Sequence, residues 1–305
     1  MTDKYSIKNI FAAVSACLLW GTAFPGVKLG LQYSGPLRLA GLRFMLAGIL
    51  LIPFCGKPAK YLKTTARNLR TIIFISFLQT FLLYSLFFTG MSIVRGAQAS
   101  IIIGSGPFFT AILAHFLMHD DRITGSKMTS IFFGIAGLCL ISLSSKPWQP
   151  SGLAEFGGMG ILLFSTLVSA LANITVAKRG RDINPVILNS SQMFLGGISI
   201  LLLSFITEGI PRGVPPAEFF LVLIWLSTVS ALAFSIWFYL LTRKKTARLN
   251  SWKFLIPVFG SVLSWVILPD ETPGIMSVSG MILVGTAIVL INIPRSFRQR
   301  FRKRT

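Results

Sequence analysis

Apolar residues run almost unbroken through ten stretches of this chain, at 10–29, 36–54, 71–92, 96–118, 126–144, 157–177, 185–206, 218–241, 247–268 and 274–293. At about 20 residues each, they are long enough to cross a hydrocarbon core as helices. Lipid offers backbone groups no partners, so a crossing segment must satisfy its own hydrogen bonds, as a helix does. The alternating in–out pattern of a membrane barrel is absent. Polar breaks are short: His119 to Gly125 splits the fourth and fifth stretches, and 241–250 is a brief basic interruption.

The pattern repeats. Residues 85–142 align without a gap to 235–292, an offset of 150, with nine identities in 58 positions. Pro107 falls on Pro257, Phe109 on Phe259, Leu113 on Leu263, Asp120-Asp121 on Asp270-Glu271, and Leu140-Ile141 on Leu290-Ile291. A kink residue, an acidic helix-end pair and the apolar run after it thus keep one register, which points to a duplicated transporter.

Composition and charge settle the class and the orientation. Hydrophobic residues make up 53% of the 305, charged residues 12%, and the mean hydropathy is +0.73. A soluble domain carries about 25% charge, so this chain belongs in a bilayer. Its net charge of +20 does not indicate nucleic acid, because the basic residues form short clusters between apolar stretches. With a cytoplasmic N-terminus, 22 of the 29 basic residues fall inside: Lys4 and Lys8, the clusters within 57–70, 122–127, 178–181 and 243–248, and the tail from Arg295 onward. Both termini are therefore expected inside the cell, in the cytoplasmic membrane.

Each half has five stretches, an odd number, so the second half must enter the membrane in the opposite sense. Corresponding loops then differ in charge, as they do here. Loop 55–70 carries five basic residues and its counterpart 207–217 only Arg212, whereas 92–98 holds Arg95 alone and its counterpart 242–248 holds four. The expected fold is an all-α polytopic membrane protein of ten transmembrane helices in two inverted five-helix repeats, 8–144 and 157–293, with a basic cytoplasmic tail at 294–305.

With these features in place, the chain resembles the drug/metabolite transporter superfamily, in particular its ten-span exporters with two EamA-type halves. The resemblance rests on Trp20-Gly21-Thr22-Ala23-Phe24, on Arg43-Phe44, and on a proline-containing span running into an acidic pair in each half. Asp121 departs from it, since glutamate is commoner there. The resemblance implies alternating access through a cavity between the halves, and it leaves the substrate open.

Polar residues inside the spans carry what specificity is readable. Arg43 lies seven residues into the second span, where an unpaired guanidinium costs about 2.5–3.5 kcal/mol on insertion scales. It is either a fork for a carboxylate or phosphate, or an arginine tied to helix-end carbonyls or snorkelling outward. Lys253 shares a stripe with Asn250, Pro257, Ser261 and Ser264 in the ninth span, suiting either a cavity wall or small-residue packing. Pro107 and Pro257 each free a backbone carbonyl and are candidate kinks or gates. Asn189 and Gln192, and Gln79 and Tyr84, are candidate cavity groups, with interhelical hydrogen bonding the alternative. Trp20, Phe24 and Trp237 are candidate aromatic walls. His115 is a candidate for proton coupling, or else a helix-end residue; the acidic pairs read as interfacial caps.

No carboxylate falls well inside a span, which disfavours lipophilic cations relative to amino-acid-like or anionic metabolites. Aromatic faces alone still bind cations, so a multidrug exporter is the alternative, and a passive channel is a more distant one. No helix-borne zinc motif, nucleophile turn or phosphate-cradling loop is present, so neither enzyme nor primary pump is expected. Cys17, Cys55 and Cys139 lack the spacing of a disulfide framework or metal site. No cofactor or metal is called for. The expected partners are a small-molecule substrate, the lipid bilayer and at most a second copy, giving a monomer or homodimer.

Overall fold

The structure, a computed structural model, describes residues 7–94, 99, 102–118, 121–145, 152–210, 213–267 and 274–292. Asp120, the Asp270-Glu271 pair, the loop residue Arg212 and the tail 294–305 lie outside them. The described residues form helices joined by short turns, with no strand among them.

In chain order the helices are α1 (Ile7–Gly30), α2 (Pro36–Leu50), α3 (Pro58–Arg67), α4 (Leu69–Ile93), α5 (Ile102–Leu117), α6 (Gly125–Ser145), α7 (Leu153–Arg179), α8 (Pro185–Thr207), α9 (Ala217–Leu241), α10 (Thr246–Ile267) and α11 (Ile275–Asn292). Prolines at the first positions of α2, α3 and α8 sit where an N–H would have no intrahelical partner. Asn184 caps α8 through its Oδ1, which accepts from the backbone N–H of Val186 at 2.9 Å. Five helices are long and apolar enough to cross a membrane, and three shorter apolar ones accompany them, among the described residues. The chain is an all-helical polytopic membrane protein.

Every apolar stretch read from the sequence carries a helical segment. Three details differ. The second stretch closes at Leu50 and continues as a 3₁₀ turn, Ile52–Cys55. Residues 58–67, expected to be part of a loop, form α3, because Pro58 starts a turn and the Lys-, Tyr- and Leu-containing run after it favours helix. Within α4, Phe77–Leu82 winds as a π-helix.

Packing pairs the halves. α6 lies against α11 and α2 against α8; α1 packs on α9 as α4 packs on α7, and α1 on α10 as α5 packs on α7. Small residues allow the closest approaches. A Cβ on Gly137 of α6 would stand 2.5 Å from the carbonyl oxygen of Gly280 in α11, and one on Gly197 of α8 would collide with the Met45 backbone nitrogen in α2.

The two duplicated proline-containing segments, α5 and α10, are broken just before their proline. In α5 a turn at Ser105 precedes Pro107, and in α10 a 3₁₀ turn, Ser251–Phe254, precedes Pro257. Proline supplies no backbone donor, so a break at the preceding turn removes the need for one.

Candidate functional site

Helix α9 organises the site. Ser230 and Trp237 lie seven residues apart on it, which at 1.5 Å per residue is about 10.5 Å along the axis. Each meets a cation from another helix. Arg43 of α2, only 5% exposed, donates through Nε to Ser230 Oγ at 2.7 Å. The Ser230 hydroxyl is free to accept because its own proton goes to the Leu226 carbonyl. Lys253, in the 3₁₀ turn of α10, places Nζ 5.0 Å from the Trp237 ring centroid and 5.7 Å from that of Trp20.

Aromatic rings fill the space between the two cations. Trp20 stands edge-on to Phe234 at 5.0 Å and to Trp237 at 5.2 Å. Phe234 in turn meets Phe44 at 6.4 Å and Tyr84 at 6.3 Å, and Phe44 and Tyr84 lie 4.3 Å apart. One connected cluster from α1, α2, α4 and α9 therefore has a guanidinium at one end and an ammonium at the other. The ring faces are the negative part of each aromatic quadrupole, and they offset part of the cost of holding a cation there.

No described carboxylate lies within ion-pair distance of Arg43 or Lys253, and among the described residues no acceptor takes the terminal guanidinium N–H groups or the Lys253 ammonium. The Trp20 indole N–H and the Gln79 amide oxygen also lack partners among the described residues, and Gln79 is 2% exposed within the π-helical turn. A guanidinium offers five donors in a fixed fork, and with the Nε–H given to Ser230 the four on its terminal nitrogens are of the kind that pairs with carboxylate or phosphate oxygens.

The other sequence candidates divide. Asn189 donates to Ser235 Oγ at 3.0 Å and accepts from Gln192 Nε2 at 3.0 Å, while Thr80 donates to Gln192 Oε1 at 2.5 Å. Those amides are committed to bonds between helices, which ties α4, α8 and α9 together instead of presenting free groups. Asn250 donates to the Thr246 carbonyl of its own helix. His115 is exposed, and its Nδ1 accepts from the Ile123 backbone N–H at 3.3 Å, the helix-end reading. Phe24 has its backbone in α1, but its side chain lies outside the described residues, as do those of Ser261 and Ser264.

Two contributors, Asn173 and Ser230, went unnoticed in the sequence. Asn173 of α7 accepts from the Trp237 indole N–H at 3.1 Å and so orients that ring. Ser230 joins Phe44, the neighbour already paired with Arg43 in the sequence motif, around the guanidinium. A lone Asn or Ser in an apolar helix carries no local signal; only the α2–α9 and α7–α9 contacts reveal Ser230 and Asn173.

At the cytoplasmic end of the orientation read from charge, Asp121 is buried between the halves. Its Oδ2 accepts from the Ala247 backbone N–H at 2.7 Å, and its Oδ1 lies 2.5 Å from Lys127 Nζ. The acid caps α10 of the second half, not the helix that follows it in sequence.

The description "EamA-like transporter family" fits the chain twice, over residues 7–143 and again over 157–293. The chain belongs to the EamA-like transporter family. Curated relatives of this EamA protein cover most of its length. It is 27% identical to a Salmonella typhimurium protein named "Probable amino-acid metabolite efflux pump", over 92% of this chain and 93% of that one. It is 22% identical to an S-adenosylmethionine/S-adenosylhomocysteine transporter of Chlamydia trachomatis, over 92% and 88%. A solved crystal structure superposes with a TM-score of 0.77 at 16% identity, covering 93% of this chain and 97% of that chain, and so shares the fold. The EamA protein is a multi-pass membrane transporter, not an enzyme.

Proposed function

We propose that this EamA protein is a secondary carrier of the cytoplasmic membrane that moves a small amino-acid-like or anionic metabolite outward, by alternating access between two inverted five-helix halves. The observation that carries the substrate class is the pair of cations, Arg43 and Lys253, flanking an aromatic cluster with no described carboxylate beside either. A solute with a carboxylate would meet the guanidinium fork, and an apolar or ring-bearing body would lie against Trp20 and Phe234. The names of the Salmonella and Chlamydia relatives, which concern amino-acid metabolites and an amino-acid conjugate, support the same class.

The ten helical segments would cross the bilayer ten times with both termini inside, and the halves would rock about the α2–α8 and α6–α11 contacts. The bond from Asp121 to Ala247 joins the halves on the cytoplasmic side and would keep that side shut.

The aromatic cluster favours a second reading, export of lipophilic cations held by ring faces. Thermal unfolding of the purified protein against amino acids, organic anions and lipophilic cations separates the two. Stabilisation by amino acids or anions supports the first reading. Stabilisation by cations alone would replace it with the second.

A further inference from the structure

Helix α3 has three distinct faces. Tyr61 and Thr65 turn toward α8: Ser191 Oγ lies 3.2 Å from Tyr61 Oη and 3.0 Å from Thr65 Oγ1. Lys60, Lys63 and Arg67 recur at three- and four-residue steps on a second face, and all are exposed. Ala59, Leu62 and Ala66 make the third face, also exposed, with Leu62 at 64%. At 100° per residue, the docked, basic and apolar faces divide the helix circumference among them.

A water-facing helix gains nothing from an exposed apolar face. A membrane-crossing helix cannot carry three cations on one side. A helix lying in the membrane surface accounts for all three faces, with its apolar side toward the acyl chains, its basic side among headgroups and its third side on the protein. Neighbouring features agree. Lys57 and Arg70 add exposed positive charge at either end, Phe54 is 76% exposed just before the helix, and no Asp or Glu occurs between Lys4 and His119 to neutralise the cluster.

We propose that α3 is an interfacial helix that binds anionic phospholipid headgroups of the cytoplasmic leaflet through Lys60, Lys63 and Arg67, anchored by Leu62. Basic residues beside an anionic leaflet are attracted over roughly a Debye length, about 8 Å at physiological ionic strength. The occupant is a lipid because the apolar face adjoins the basic one; a soluble anion would need only the cations.

The test is hydrogen–deuterium exchange over residues 57–70 in nanodiscs of phosphatidylcholine, with and without phosphatidylglycerol. Exchange is expected to slow in the anionic discs. K60Q/K63Q/R67Q is expected to lose that slowing while keeping wild-type exchange in α8, because Tyr61 and Thr65 are untouched. L62Q, which leaves every cation in place, is expected to show a reduced slowing. Equal exchange in both discs, unchanged slowing in the triple variant, or the same slowing from inorganic phosphate added to phosphatidylcholine discs overturns the proposal. The readout needs no transported solute, so it stands or falls separately from the carrier reading.

Discussion

Asp121 accepts a hydrogen bond from the backbone N–H of Ala247 at 2.7 Å, so the connection between α5 and α6 caps a helix from the other half of the chain. The first N–H groups of a helix have no intrahelical partner, and a negative charge there is favoured by the helix dipole. Lys127 Nζ lies 2.5 Å from the other carboxylate oxygen, so both oxygens of the buried acid have a partner.

Asp121→Ala is expected to destabilise the protein by about 1.5–3 kcal/mol, the range for a hydrogen bond to a charged group. It should also speed amide exchange across 246–250. A variant with wild-type unfolding and wild-type exchange there would show that the contact does not hold the halves together.

Glu208, just past the end of α8, does the corresponding work at the start of α2. Its carboxylate accepts from the backbone N–H groups of Leu37 and Arg38 at 2.6 and 3.0 Å, and Arg38 donates to the Gly209 carbonyl. Glu208→Ala is expected to cost about 1–2 kcal/mol in chemical denaturation, as loss of a helix cap does. Substrate affinity should stay as in the wild type, since the cap lies away from the aromatic cluster.

Gln192→Ala separates structural from recognition roles among the buried amides. Removing its interhelical bond to Thr80, along with its bond to Asn189 within α8, is expected to lower stability by about 0.6 kcal/mol for the interhelical bond. The transport KM should not move. A large rise in KM with unchanged stability would make Gln192 a cavity residue after all.

Gly137→Leu tests the α6–α11 contact, where a side chain would press on the Gly280 carbonyl. Overpacking of this kind costs about 1–3 kcal/mol. The expected outcome is a lower thermal midpoint in detergent; an unchanged midpoint would mean that the two helices separate without cost.

The apolar stretches were legible because membrane-spanning sequence must be continuous, and each carries a helical segment. α3 was not, because its cations at Lys60, Lys63 and Arg67 read first as loop charge, although their spacing already had helical period. Arg43 and Lys253 stood out because charge in an apolar run has few innocent explanations. Their partners did not: Ser230 is distant in sequence from Arg43, and nothing local to Asn173 announces that it orients Trp237. For Asn189 and Gln192, composition fits a cavity lining and an interhelical network equally well. Only the bond partners, Ser235 and Thr80, distinguish them.

The most direct test of the carrier is counterflow of a labelled amino acid or organic anion, chosen by thermal stabilisation, in proteoliposomes containing wild type, R43Q or K253Q. The expected result is saturable counterflow in the wild type, with KM raised about tenfold or more in either variant, the equivalent of about 1.4 kcal/mol of lost recognition. Both variants should remain folded, because glutamine keeps a polar group at each position and neither cation has a carboxylate partner among the described residues. Saturable counterflow with an unchanged KM in both variants, or no saturable exchange of any stabilising solute by the wild type, would contradict a site built on Arg43 and Lys253.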